Sequence, residues 1–131
     1  MITEELYREL KKITEEEARI LNGDTKIETA IYMSQEAAVE DAYIVDAKKL
    51  LDAGKLIQVR PHTRFVHFPK HTHNYIEVIY MCCGTTHHVI DGEDVWLREG
   101  EMLFLNQKAE QEIYTASEDD IAVNFIILPE F

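Results

Sequence analysis

Between His71 and Gly84 the chain reads His71-Thr72-His73-Asn74-Tyr75-Ile76-Glu77-Val78-Ile79-Tyr80-Met81-Cys82-Cys83-Gly84. No other run limits the possible folds as much. Side chains of a strand alternate between its faces, so a single strand here places His71, His73, Tyr75, Glu77, Ile79 and Met81 together. Ile76, Val78 and Tyr80 then cover the other side. Two apolar faces around a polar trio suit the wall of a small barrel with a site inside it. Imidazole nitrogen and carboxylate oxygen are ligands for a divalent transition metal. The same groups also serve as contacts for an organic ligand, or as a cluster hydrogen-bonded to itself.

From Lys55 onward, short strand patterns alternate with turns. The expected strands are Leu56–Arg60, Thr63–Phe68, Tyr75–Cys82, Thr85–Ile90, Glu93–Arg98, Met102–Leu105, Glu110–Tyr114 and Ile121–Leu128. Asp91-Gly92 is the strongest hairpin signal, because a type I′ turn needs positive φ at both central residues. Glu99-Gly100 and the stretch from Ser117 to Asp120 mark further turns. Many short, evenly spaced strands predict a barrel or sandwich. Ahead of them, Thr3–Leu21 predicts one helix, with Leu6, Leu10, Ile13 and Ile20 near one face and Asn22-Gly23 as its stop. Glu4, Glu5, Glu9, Glu15, Glu16 and Glu17 then form a solvated face. Asp24–Met33 has the short alternation of a strand, Ser34–Ala42 is ambiguous, and Asp46–Ala53 reads as a short helix capped by Asp46 and ended by Gly54.

His71, His73, Glu77 and Gly84 stand at the spacing His-x-His, three residues, Glu, six residues, Gly, and this resembles the first motif of the cupin superfamily. Asp91-Gly92 and Arg98-Glu99-Gly100-Glu101 followed by Met102–Asn106 resemble the second, with Glu101 in place of the usual Asp and Arg98 in place of a common Pro. The histidine that would be the fourth ligand is missing, and Gln111 takes its place by register. His73-Asn74-Tyr75-Ile76-Glu77-Val78-Ile79-Tyr80, Ile90-Asp91-Gly92-Glu93 and Val123–Pro129 are most similar to the N-terminal sensing domain of AraC-type transcription regulators. The resemblance covers roughly Leu56 to Phe131.

This resemblance implies a mainly β fold with N-terminal helices: a cupin, or jelly-roll barrel, over residues 55–131, with residues 1–54 as a helical extension packed on it. It also implies an interior pocket drawn from His71, His73, Tyr75, Glu77, Met81, His87, Phe104 and Gln111. His87 and His88 point to opposite faces of their strand, and His87 is taken as the one facing inward. Tyr75, Met81, Trp96 and Phe104 can line an apolar pocket, but an aromatic in a barrel is more often plain core. His62 and His67, near Arg60 and Arg64, show no recognisable spacing and read as surface or strand residues. If a metal is held, His71, His73, Glu77 and Gln111 are its ligands, and Zn, Ni, Fe or Mn the candidates.

Thirteen basic residues against twenty-five acidic ones leave a net charge of −12. The deficit is spread evenly, so no basic stripe offers phosphate contacts, and direct nucleic-acid binding is not expected. The start is acidic, unlike a signal peptide, and no apolar run reaches membrane-spanning length. Cys82 and Cys83 are adjacent and badly placed to bridge each other, as in a reduced cytoplasmic protein. Three functions compete: a small-molecule sensor, a metal-dependent enzyme (isomerase, dioxygenase or decarboxylase), and a packed interaction module. The sensor reading is preferred. Under it the helix-turn-helix part absent here belongs elsewhere, and the chain is a fragment or a stand-alone sensor. A homodimer is expected through Ile76, Val78 and Tyr80 together with Leu6, Leu10 and Ile13.

Overall fold

The computed structural model describes residues 3–23 and 43–130. The strand expected in Asp24–Met33 and the ambiguous Ser34–Ala42 lie outside those residues. Where one helix was expected over Thr3–Leu21, two form: α1, Glu4–Lys11, and α2, Glu15–Leu21. A capping box causes the break. The Thr14 hydroxyl accepts from the Glu17 N–H at 3.1 Å, and the Glu17 carboxylate accepts from the Thr14 N–H at 3.0 Å. Thr14-x-x-Glu17 starts a helix by satisfying two orphan donors, so the chain restarts there rather than continuing from α1.

The solvated face holds for Glu4, Glu5, Glu9 and Glu15 and fails at Glu17, which is only 2% exposed. Its carboxylate accepts from Arg64 Nε at 2.9 Å, Arg64 Nη2 at 3.0 Å and the Arg64 backbone N–H at 2.8 Å. Arg64, also 2% exposed, donates further to the carbonyls of Lys11, Lys12 and Glu118. One guanidinium thus ties the end of α1, the start of α2 and the 118 turn to the barrel. The reading of His62 as a surface or strand residue is corrected, since it is buried in the loop after β2, as is Arg64.

Nine strands follow: β1 Tyr43–Val45, β2 Ile57–Pro61, β3 Phe68–His73, β4 Ile76–Cys83, β5 Thr85–Ile90, β6 Glu93–Arg98, β7 Met102–Leu105, β8 Gln111–Ile113 and β9 Ile121–Ile127. A short helix, α3 (Ala47–Leu50), has Asp46 as its cap, as expected. The sheets run β1-β3-β8-β5-β6 and β2-β9-β4-β7. β1 joins β3 in parallel, an element the sequence reading did not assign, while the other described ladders are antiparallel. The expected strand at Thr63–Phe68 is instead a loop, and its pairing begins only at Phe68. Phe65 there sits at φ 73°, a conformation that breaks a ladder.

Two turn expectations hold. Asp91 and Gly92 have φ of 49° and 86°, as a type I′ hairpin between β5 and β6 requires. Gly84 has φ 77°, and a Cβ there would lie 2.7 Å from the Asp119 carbonyl oxygen and closer still to the Asp120 carboxylate. That carboxylate accepts from the Thr85 N–H at 3.0 Å, so Gly84 lets the 119–120 turn close over the end of β4.

The core lies between the sheets, with Val45, Ala47, Leu50, Val66, Phe68, Tyr75, Ile113 and Ile126 at one end. Ile79, Met81, Leu97, Leu105 and Ala122 fill the other end. Arg64→Ala should lower unfolding stability by about 3–5 kcal/mol, because it strands the buried Glu17 carboxylate. Urea denaturation checks this, and a loss below about 1 kcal/mol would contradict it. Burial alone would push Glu17 up, but its bonds to Arg64 and Thr14 pull it below its ordinary value. The stability it confers is therefore present above the ordinary carboxylate pKa and lost as pH falls through the depressed one.

Candidate functional site

The expected single strand is two. β3 ends at His73 and β4 begins at Ile76, in different sheets, with a bend at Asn74-Tyr75 between them. Asn74 makes the bend useful: its side-chain oxygen accepts from the Ala47 N–H at 2.7 Å, and its amide nitrogen donates to Asp46 at 3.1 Å. The chain can cross between sheets and still keep His71, His73, Tyr75, Glu77, Ile79 and Met81 buried.

A cavity of about 40 Å³ lies between the sheets, and His71, Tyr75, Glu77 and Gln111 line it together with His62, Asn124 and Arg60. Gln111 is the hinge of the polar side. Its amide nitrogen donates to Glu77 Oε1 at 2.9 Å, and its oxygen faces His88 Nδ1 at 3.2 Å. That assigns His88 Nδ1 as the N–H donor, so its Nε2 accepts from the Thr86 hydroxyl at 2.8 Å. Burial raises Glu77 to about 7, with the Gln111 bond opposing the rise. Burial also pushes His62, His73 and His88 down to about 4, and His71 below its ordinary value. At neutral pH this interior holds uncharged imidazoles around a carboxyl poised between its two states.

Two buried polar atoms lack a hydrogen-bond partner here: Asn124 Oδ1 and His73 Nε2. Asn124 lines the cavity. His73 instead stacks on Tyr75 at 4.4 Å, and its Nδ1 meets the Tyr75 carbonyl at 2.6 Å. Met81 is fully buried toward the other end of the barrel, beside the Thr86 hydroxyl.

Two pocket assignments are corrected. His87 points outward, stacked on Trp96 at 3.9 Å and Tyr114 at 4.6 Å, with Asp94 at 2.7 Å from its Nε2. His88, 0% exposed, faces inward in its place. Phe104 is 68% exposed, because its partner across the ladder is Val78 and the inward positions of β7 are Leu103 and Leu105. Reasoning from sequence also missed His62, Arg60 and Asn124. Leu97, opposite Thr86, was the usable signal for β5: an apolar residue on the inner face of β6 places Thr86 and His88 inside.

The proposed metal set of His71, His73, Glu77 and Gln111 does not fit a metal ion in this arrangement. Among the described residues no three His, Cys, Asp or Glu side chains come together as a metal-binding group. Gln111 also presents its amide nitrogen to Glu77, and an N–H donor is not a ligand atom. The arrangement can instead hold a neutral polar molecule, with Asn124 Oδ1 accepting from it and Glu77 donating or accepting according to pH. Glu77→Gln should raise unfolding stability at pH 8 by up to about 3 kcal/mol and change little at pH 4. The raised Glu77 carboxyl costs nothing while protonated in both states, and its cost accumulates between its ordinary pKa and about 7. Denaturation at the two pH values checks this, and equal effects at both would contradict it.

Among solved structures, a cupin protein from Bacteroides fragilis is 24% identical, covering 58% of this chain and 68% of that one with a TM-score of 0.44. The EutQ protein of Clostridium difficile is 21% identical over 57% of each chain, with a TM-score of 0.44. KdgF from Halomonas is 14% identical over 59% of this chain and 84% of that one, with a TM-score of 0.45. No curated protein matches the chain. The model of the AraC-like ligand binding domain matches residues 56–130. With two facing sheets, a polar interior and this match over more than half its length, the chain belongs to the AraC-like ligand-binding domain family of cupins.

Proposed function

We propose that this chain is the sensing part of an AraC-type transcriptional regulator, with a small neutral polar effector seated between the sheets. The observation that carries the reading is Asn124 Oδ1, a buried acceptor without a hydrogen-bond partner on a residue that lines the same cavity as Glu77. A buried acceptor left unmade costs on the order of 1–3 kcal/mol, so a ligand hydroxyl or amide that donates to it recovers that amount. Glu77 at about 7 can donate as an acid or accept as a carboxylate, which suits a hydroxyl group.

A cavity of 40 Å³ accepts one functional group of a larger molecule. Outside it, Thr14, Glu15, Glu16 and Arg19 of the α2 region enclose a second space of about 250 Å³. Arg60, Pro61, His62 and Thr63 border both. On this reading the loop after β2 is the entrance, and the polyhydroxylated body of an effector extends through it.

Pentoses and hexoses are the probes to try by calorimetry. A binder should lose at least tenfold in affinity with Asn124→Leu, while the circular dichroism spectrum stays unchanged. Equal binding to the variant would overturn the placement.

DNA contact is assigned to another part of the regulator. The net charge of −12 gives this chain no counterion-release term. Fluorescence anisotropy with a 30-base-pair duplex at physiological salt should show no saturable binding at about 10 μM protein. Micromolar binding that weakens with salt would contradict this.

A further inference from the structure

The outer face of the β1-β3-β8-β5-β6 sheet carries two parallel rows, one acidic and one aromatic. Val89 of β5 pairs with Asp94 of β6 on one side and Glu112 of β8 on the other. The two carboxylates thus stand in one row with an apolar residue between them. Two residues along, Trp96 pairs with His87, and the Tyr114 N–H donates to the His87 carbonyl. The His87 ring stacks on Trp96 at 3.9 Å and on Tyr114 at 4.6 Å, and His67 continues the pile beyond Tyr114 at 5.5 Å. The cavity between the sheets uses none of these groups.

The imidazoles tie the rows together. His87 Nε2 lies 2.7 Å from Asp94 Oδ1 and His67 Nε2 lies 2.6 Å from Glu112 Oε2, so each carboxylate is held in place through one oxygen. The Asp94 side chain is still 69% exposed and that of Glu112 25%, which leaves each able to accept from a further donor. Trp96 is 54% exposed: His87 covers one ring face, and the sheet ends at β6 on the other side. Of the basic residues on these strands, Lys70 faces Glu110 at 3.8 Å, and Arg98 lies beyond Trp96, away from Asp94.

We propose that this face docks a segment of another protein that carries two arginines three residues apart, laid across β6, β5 and β8 as a polyproline II helix. A guanidinium is planar, stacks on aromatic rings and pairs with carboxylate oxygens, so it matches both rows at once. Asp94 and Glu112 are two strand spacings apart, about 9.6 Å. A polyproline II segment rises about 3.1 Å per residue with three residues per turn, so residues i and i+3 share a side at about 9.3 Å. The two residues between the arginines then pass over Val89.

Charge and sequence select this occupant. A net charge of −12 draws a cationic segment toward the chain, and the open carboxylates give it a place to stop. A second copy does not supply the segment: Arg8, Arg19, Arg60, Arg64 and Arg98 are the chain's arginines, and no two of them are three residues apart. Lysine fits less well, because an ammonium is a hydrated point charge without the planar fork. The proposal does not depend on the identity of the effector.

Trp96 is the chain's one tryptophan, so its emission reports on this face directly. The probe is the capped peptide Pro-Arg-Pro-Pro-Arg-Pro, titrated into the full chain at low salt. The emission should change saturably, with a dissociation constant below about 1 mM. A peptide of equal charge with adjacent arginines, Pro-Pro-Arg-Arg-Pro-Pro, should bind at least threefold more weakly, and so should the version with lysines. Asp94→Asn should weaken binding at least threefold with an unchanged circular dichroism spectrum. Glu5→Gln, the same loss of charge at an exposed position on α1, should leave it unchanged. Absence of saturable binding would overturn the proposal. So would equal affinity for any two of the three peptides, an Asp94→Asn chain that binds as the wild type does, or an equal loss with Glu5→Gln.

Discussion

The buried pair of Glu17 and Arg64 is the contact on which the arrangement of this chain depends. An ion pair taken out of water gains stability only when its remaining donors and acceptors are also satisfied. Here Arg64 meets the Glu17 carboxylate with two side-chain bonds and spends its other donors on the carbonyls of Lys11, Lys12 and Glu118. The two helices and the barrel are thereby held through one side chain. Because the same pair fixes the loop after β2, it also fixes where Arg60, His62 and Thr63 stand between the inner cavity and the outer space.

Electrostatics inside the barrel work against one another. The depressed histidines hold fewer protons in the folded state than in the unfolded one, so they cost stability as pH falls from the ordinary imidazole range toward about 4. Glu77, raised to about 7, has the opposite sign and costs stability as pH rises toward that value. With several imidazoles depressed against one carboxyl raised, the histidine cost dominates below the ordinary imidazole pKa, and the cost of Glu77 is what remains above about 7.

Much of this was legible in the sequence, for identifiable reasons. The β5–β6 hairpin was readable because Asp91-Gly92 encodes positive φ locally. Burial of the 71–81 odd positions was readable from period two, even though the strand breaks at Asn74 and changes sheets. The break itself was not, since it depends on Asn74 bonding to Asp46 and Ala47, some 27 residues earlier. The two-helix start was written in Thr14-x-x-Glu17 but masked by a continuous run of helix-forming residues. Glu17 looked like one more surface acid because its partner lies 47 positions away. On β5 the choice between the adjacent His87 and His88 fell on the wrong face: His87 stacks on the exposed Trp96 and Tyr114, and His88 is the buried one.

β1 lies upstream of the 56–130 region that matches the family, yet it forms an edge of the five-stranded sheet by pairing with β3. Val45, Ala47 and Leu50 follow it into the core beside Phe68 and Tyr75. A chain trimmed to the matched region would lose these three buried side chains and bare the backbone donors and acceptors of β3. A bare strand edge recruits strands from other molecules. The matched region is thus shorter than the sheet it belongs to, and β1 covers the edge that the histidine-bearing strand would otherwise present.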